Sequence, residues 1–140
     1  MIKGPPVEVE VRIEARPEVV FPYLVEPDQL VRWMGEEADI DVRPGGQFWL
    51  RVQGDDIAIG EYVSLDPPNQ VVISWGWDGS ADVPPGSSTV TFDLRPDGPD
   101  GEATVLSLTH ADLPSDWCDR HREGWTHHLA ELPTALSETS

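Results

Sequence analysis

The chain has 140 residues, with 26 acidic against 9 basic side chains, a formal net charge of −17, a single cysteine and six tryptophans. Such a field repels nucleic acid and anionic membrane surfaces, and the scattered bases form no stripe to overcome it, so it reads as a solvated acidic surface or a match for a basic partner. The length fits one domain, 1–140, large enough to fold without disulfide or structural metal, and Cys118 alone excludes an intrachain bridge.

A reducing cytoplasm is the compartment expected for such a chain. The opening MIKGPPVEVEV lacks the apolar run of a signal peptide, and no stretch approaches the roughly 18 apolar residues of a membrane span.

VEVEVRIEA, 7–15, alternates between β-branched and charged residues and predicts a half-buried strand. EVVFPYLVEPDQLVRWM follows, with Val20, Tyr23 and Leu24, then Leu30, Trp33 and Met34, at helical spacing. Pro22 and Pro27 forbid one continuous helix, so two short helices are expected, with a break near 26–28 and Asp28 capping the second.

Six strands are then predicted, at 38–44, 47–53, 57–65, 70–77, 89–95 and 103–111. Gly45-Gly46, Gly54-Asp55, Asp66-Pro67-Pro68 and PDGPDGE are turn signals between them, and DGSADVPPGSS reads as a mobile loop. Short links favour an antiparallel meander, and the first strand brings the sheet to seven.

The last segment, 115–136, is expected to begin at Pro114 and Ser115, with Ser115 as a cap. Projected at about 100° per residue, Trp117, Cys118, His121, Trp125, His128, Leu129, Leu132 and Leu136 fall in one stripe. His127 lies opposite, and Pro133 should kink or end the helix. The pattern is that of a long amphipathic helix laid on a sheet.

In this order VFPYLVEPDQLVRWMG, VRPGGQFWLRV, GEYVSLDPPNQVVISWGW, ATVLSLTHADLP and HREGWTHHLAEL resemble the START-like (SRPBCC, helix-grip) superfamily. Within it, they resemble the activator of heat shock protein 90 ATPase homologue-like family. The resemblance implies an α+β helix-grip fold: a curved antiparallel sheet of about seven strands wrapped on the C-terminal helix, with an apolar cavity between them. The family name comes from a co-chaperone whose activity needs another domain as well, so the name carries little about function.

The candidate cavity residues divide by origin. Phe48, Leu50, Trp75, Trp77, Phe92 and Leu108 come from the strands, and Trp33 ends the second short helix. His121, Trp125 and His128 come from the long helix. The tryptophans either fill the core or line a pocket whose indole N–H groups fix the polar end of a ligand.

His121 and His128 are seven residues apart, which sets their rings about 10 Å apart along the axis. Even with His110 as a third ligand one metal would not bridge them, so no metal site and no cofactor are expected. These histidines are then hydrogen-bonding or acid/base groups of a cavity, or partly packed margins of the stripe. Glu61, Arg51 and His110 complete the acid/base candidates, and Cys118 is either a packed residue or a nucleophile activated by His121. If Phe48, Leu50 and Val52 face in, Trp49 and Arg51 face out, and Trp49 becomes a homodimer contact or folds over the sheet.

The expectation is a small cytoplasmic START-like protein that binds an apolar or aromatic molecule between sheet and helix without covalent chemistry. The alternatives are a polyketide-cyclase-like enzyme with a cavity histidine or acid, and a co-chaperone-like interaction domain.

Overall fold

The structure, a computed structural model, describes residues 2–138. Its strands are β1 (Val7–Ile13), β2 (Glu37–Ile40), β3 (Gln47–Gln53), β4 (Asp56–Asp66), β5 (Gln70–Trp75), β6 (Ser88–Asp97) and β7 (Ala103–Ala111). Its helices are α1 (Pro17–Val20), α2 (Pro22–Val25), α3 (Pro27–Leu30) and α4 (Cys118–Glu138). The strands form one sheet in the order β1-β7-β6-β5-β4-β3-β2. Every pairing is antiparallel, so β2 to β7 run as a meander and β1 closes on β7. With α4 against one face, this is the helix-grip architecture.

Alternation decides which side chains enter the core. On β5, Val71, Ile73 and Trp75 are buried while their neighbours are half-buried. β6 buries Ser88, Val90, Phe92 and Leu94, and β7 turns Leu106, Leu108 and His110 to the same side. Register shifts between Arg51 and Gln53 and between Tyr62 and Ser64 break the regular pairing of β3 and β4. Such bulges bend a strand and increase its twist, which suits a sheet that must curve around a helix. Tyr62, fully buried, joins β4 to the helices by donating from its hydroxyl to the Leu24 carbonyl at 3.1 Å, and burial raises its pKa.

Several expectations are corrected here. The segment after β1 makes three single-turn helices, each with a proline in its first turn. Phe21 stays in the right-handed region between α1 and α2, and the chain becomes extended only at Glu26. Glu26, not Asp28, is the N-cap of α3, and no side chain caps that helix. β2 stops at Ile40, and β5 stops at Trp75.

α4 is preceded by a 3₁₀ turn, Ser115–Trp117, with Pro114 as N-cap, so Ser115 is not the cap. Nor does α4 end at Pro133; it runs on to Glu138. An internal proline costs a helix about 3 kcal/mol. Burial of Leu132, Ala135 and Leu136 around it opposes that cost. The 78–88 loop is pinned rather than loose: Val83 is fully buried, its carbonyl accepts from Trp77 N–H at 2.8 Å, and its own N–H donates to Ser80 Oγ at 3.0 Å.

On the outer face Arg51 lies over the Trp49 ring, 5.4 Å from its centroid, and pairs with Glu37 at 3.4 Å. Trp49 is thereby folded beneath its own neighbour and left half-buried. Among the described residues no helix is long and apolar enough to cross a membrane.

Candidate functional site: an aromatic cavity between sheet and helix

The site begins where β5 ends. Gly76 runs so close to the 78–88 loop that a Cβ there would sit 1.8 Å from the Pro84 carbonyl oxygen, and glycine alone fits. This close approach lets the chain leave the sheet after Trp75 and bring Trp77 back as a single bridge to Ala58. Trp75 and Trp77 then meet edge to face with centroids 5.5 Å apart, and Trp125 from α4 packs on Trp75 at 5.1 Å. Together with Trp117 they wall a cavity of about 500 Å³, completed by Met34, Val52 and Ile57. Asp55, Asp56, Asp78, Ser80, Arg120 and Gly124 also line it, and the four charged side chains among these are solvent-exposed.

Two indoles hold two histidines. Trp125 Nε1–H donates to His110 Nδ1 at 2.9 Å. Nδ1 is therefore an acceptor, which places the proton on Nε2, 2.8 Å from Ser88 Oγ. The Ser88 hydroxyl in turn donates to the Trp75 carbonyl at 2.7 Å. In the second pair Trp77 Nε1–H donates to His121 Nε2 at 3.0 Å, and His121 Nδ1 donates to the Trp117 carbonyl at 2.8 Å. The tautomers are opposite, and both rings are neutral.

Burial enforces this. His110 is fully buried and its pKa falls to about 3, chiefly through desolvation, with the neighbouring His121 adding to the effect. The two rings are 5.0 Å apart. Burial lowers His121 too, against the opposing pull of the Trp117 carbonyl, and it lowers His128, where the Trp33 carbonyl opposes it.

One buried donor is left over. Trp75 is 2% exposed, lines the cavity, and its Nε1–H meets no acceptor among the described residues. An unpaired buried N–H costs about 1–3 kcal/mol.

Of the residues singled out from the sequence, Trp75, Trp77, His121, Trp125 and His128 line the cavity. The others lie behind that wall. Phe48 packs on Trp75 and Tyr62, both at 5.7 Å, and Leu50 and Leu108 are core residues. Phe92 meets Trp33 and Trp125 edge-on, and Trp33 Nε1–H is spent on the Tyr23 carbonyl at 2.9 Å. Glu61 is exposed and outside the cavity lining, and Arg51 is engaged with Trp49 and Glu37.

Cys118 is buried with Sγ 3.6 Å from the Pro114 carbonyl, and His121 turns its Nδ1 to Trp117, so the two do not pair as nucleophile and base. No group of three or more His, Cys, Asp or Glu among the described residues could hold a metal ion. The acidic lining, Asp55, Asp56 and Asp78, escaped the sequence reading. Its only sequence signal is that both turns following Val52 and Trp77 are rich in aspartate.

Residues 14–137 match the family model described as Activator of Hsp90 ATPase homolog 1-like protein. The chain belongs to this family. An AHSA1-like protein of Rhizobium etli is 39% identical, with 94% of this chain and 81% of that one covered and a TM-score of 0.72. CalU16 of Micromonospora echinospora is 28% identical, covers 94% and 76%, and has a TM-score of 0.75. A structure described as an HSP90 activator from Plasmodium falciparum is 26% identical, covers 96% and 97%, and has a TM-score of 0.77. No curated protein matches. In this AHSA1-like chain the family match spans every element from α1 to α4, so it includes all the residues that line the cavity.

Proposed function

We propose that the protein binds a small apolar or aromatic molecule in the cavity between sheet and α4, without covalent chemistry. One observation carries this reading: four indoles, of Trp75, Trp77, Trp117 and Trp125, wall a space of about 500 Å³. Cavities of this size and character hold small ligands, and a few placed polar groups orient them.

His110 and His121 favour binding over acid/base catalysis. Both nitrogens of His110 and both of His121 are engaged by protein groups, so neither ring has a lone pair open to a substrate proton. A cyclase-like reaction would have to disrupt the wall to use them. A second reading, docking on a chaperone, is favoured by the likeness to the Plasmodium falciparum HSP90 activator. Its signature would be specific capture of an Hsp90-type chaperone by the pure protein.

The test is titration of the native protein with apolar and aromatic compounds, followed by tryptophan fluorescence and thermal unfolding. Saturable quenching with a matching rise in Tm is expected, because a ligand that binds only the native state must stabilise it. No response across compounds of varied shape would refute the binding reading.

A further inference from the structure

We infer that the molecule held in this cavity carries a protonated amine at the mouth, an inference that rests on the binding reading above. Asp55 and Asp56 come from the turn into β4, and the Asp78 N–H donates to the Ile57 carbonyl at 2.9 Å, which sets Asp78 beside Asp56. None of the three carboxylates enters an ion pair among the described residues. The only lysine or arginine of the lining is Arg120. Its guanidinium lies over the Trp117 ring, 5.0 Å from the centroid, so one indole of this wall already holds a cation on its face.

Indole faces attract cations, and carboxylates at the same opening add to that attraction. The net charge of −17 also draws cations towards the surface and repels anions. An anionic ligand would meet three carboxylates for one arginine. A divalent metal would need a cluster of oxygen or imidazole ligands, and none is formed among the described residues.

The ligand class is thus an apolar or aromatic body with a basic nitrogen at its outer end.

The inference is tested with three probes that share one ring system: naphthylmethylamine, protonated at neutral pH, naphthylmethanol and naphthylacetate. Affinities for the full chain are read by tryptophan quenching. The amine is expected to bind about tenfold more tightly than the alcohol, with the acetate weakest. The amine-to-alcohol ratio should fall to about twofold or less in Asp56→Asn/Asp78→Asn and shrink as salt is raised. Glu8→Gln/Glu18→Gln, the same loss of two charges at exposed positions on β1 and α1, should leave the ratio unaltered. Equal affinity for amine and alcohol, or tighter binding of the acetate, overturns the charge inference and leaves the cavity reading standing. Failure of all three probes to bind overturns both.

Discussion

Trp125 and His110 lie on different elements, α4 and β7, and are joined by a hydrogen bond of 2.9 Å from Nε1 to Nδ1 inside the core. The bond fixes the tautomer of the histidine, and through Nε2 and Ser88 it reaches the backbone of Trp75. Helix and sheet are thereby registered against each other by a polar chain satisfied from end to end. Such buried chains stabilise when complete and are costly when broken.

Trp125→Phe keeps most of the ring but leaves His110 Nδ1 buried without a donor. A loss of about 2–3 kcal/mol in unfolding free energy is expected, measured by denaturant titration. His127→Ala, on the exposed face of the same helix, should cost less than about 0.5 kcal/mol. Equal costs for the two would show that the bond does not contribute.

The same substitution should have opposite outcomes at two other tryptophans. Trp33→Phe removes a donor from the Tyr23 carbonyl and should destabilise by about 2 kcal/mol. Trp75→Phe removes an N–H that has no partner, so relief of that penalty offsets the lost packing and the change should stay within about 1 kcal/mol. A large stability loss there would mean that the N–H is satisfied in solution.

The depressed pKa of His110 has a definite pH signature. It titrates near 3 in the folded chain and near 6.5 when unfolded. Below 6.5 the unfolded state takes up a proton that the folded state refuses, so this contribution is complete above 6.5 and is lost as pH falls towards 3. The slope approaches about 1.4 kcal/mol per pH unit per group. His121 and His128, also lowered, act in the same direction. Denaturant unfolding at pH 7 and pH 5 should show a smaller pH-linked loss in His110→Gln than in the native chain. Parallel pH profiles would contradict a buried neutral His110.

Gly76→Ala tests the turn that builds the cavity wall. The added Cβ would fall 1.8 Å from the Pro84 carbonyl, a backbone atom that cannot move aside cheaply. A loss of about 3 kcal/mol is expected. Gly124→Ala, where a Cβ meets nothing within 4 Å, should be neutral or stabilising. Thermal unfolding of both variants separates the two outcomes.

Much of the architecture was legible because strand alternation and the helical stripe are local patterns tied to burial. β3 and β7 have the ends expected from pattern alone, and Trp125, Leu129 and Leu132 lie on the buried face of α4. What failed was local punctuation overruled by packing. Pro133 sits inside α4 because the residues around it are buried. The 78–88 loop is pinned because Val83 reaches the core.

The amino-acid order by itself determined the seven strands, the long helix, and the inward set that includes Trp75 and Trp125, since each follows from the spacing of apolar residues along a short segment. Only the tertiary structure decided which tryptophans face open space and which fill the core behind it. It alone brought His110 to Trp125, His121 to Trp77, and three aspartates from two turns to one mouth. Those pairings span 15 to 44 residues of chain and depend on strand order, a bulge at Val52 and the close approach at Gly76. Periodicity within a segment carries the direction of a side chain, but not the identity of the group it meets.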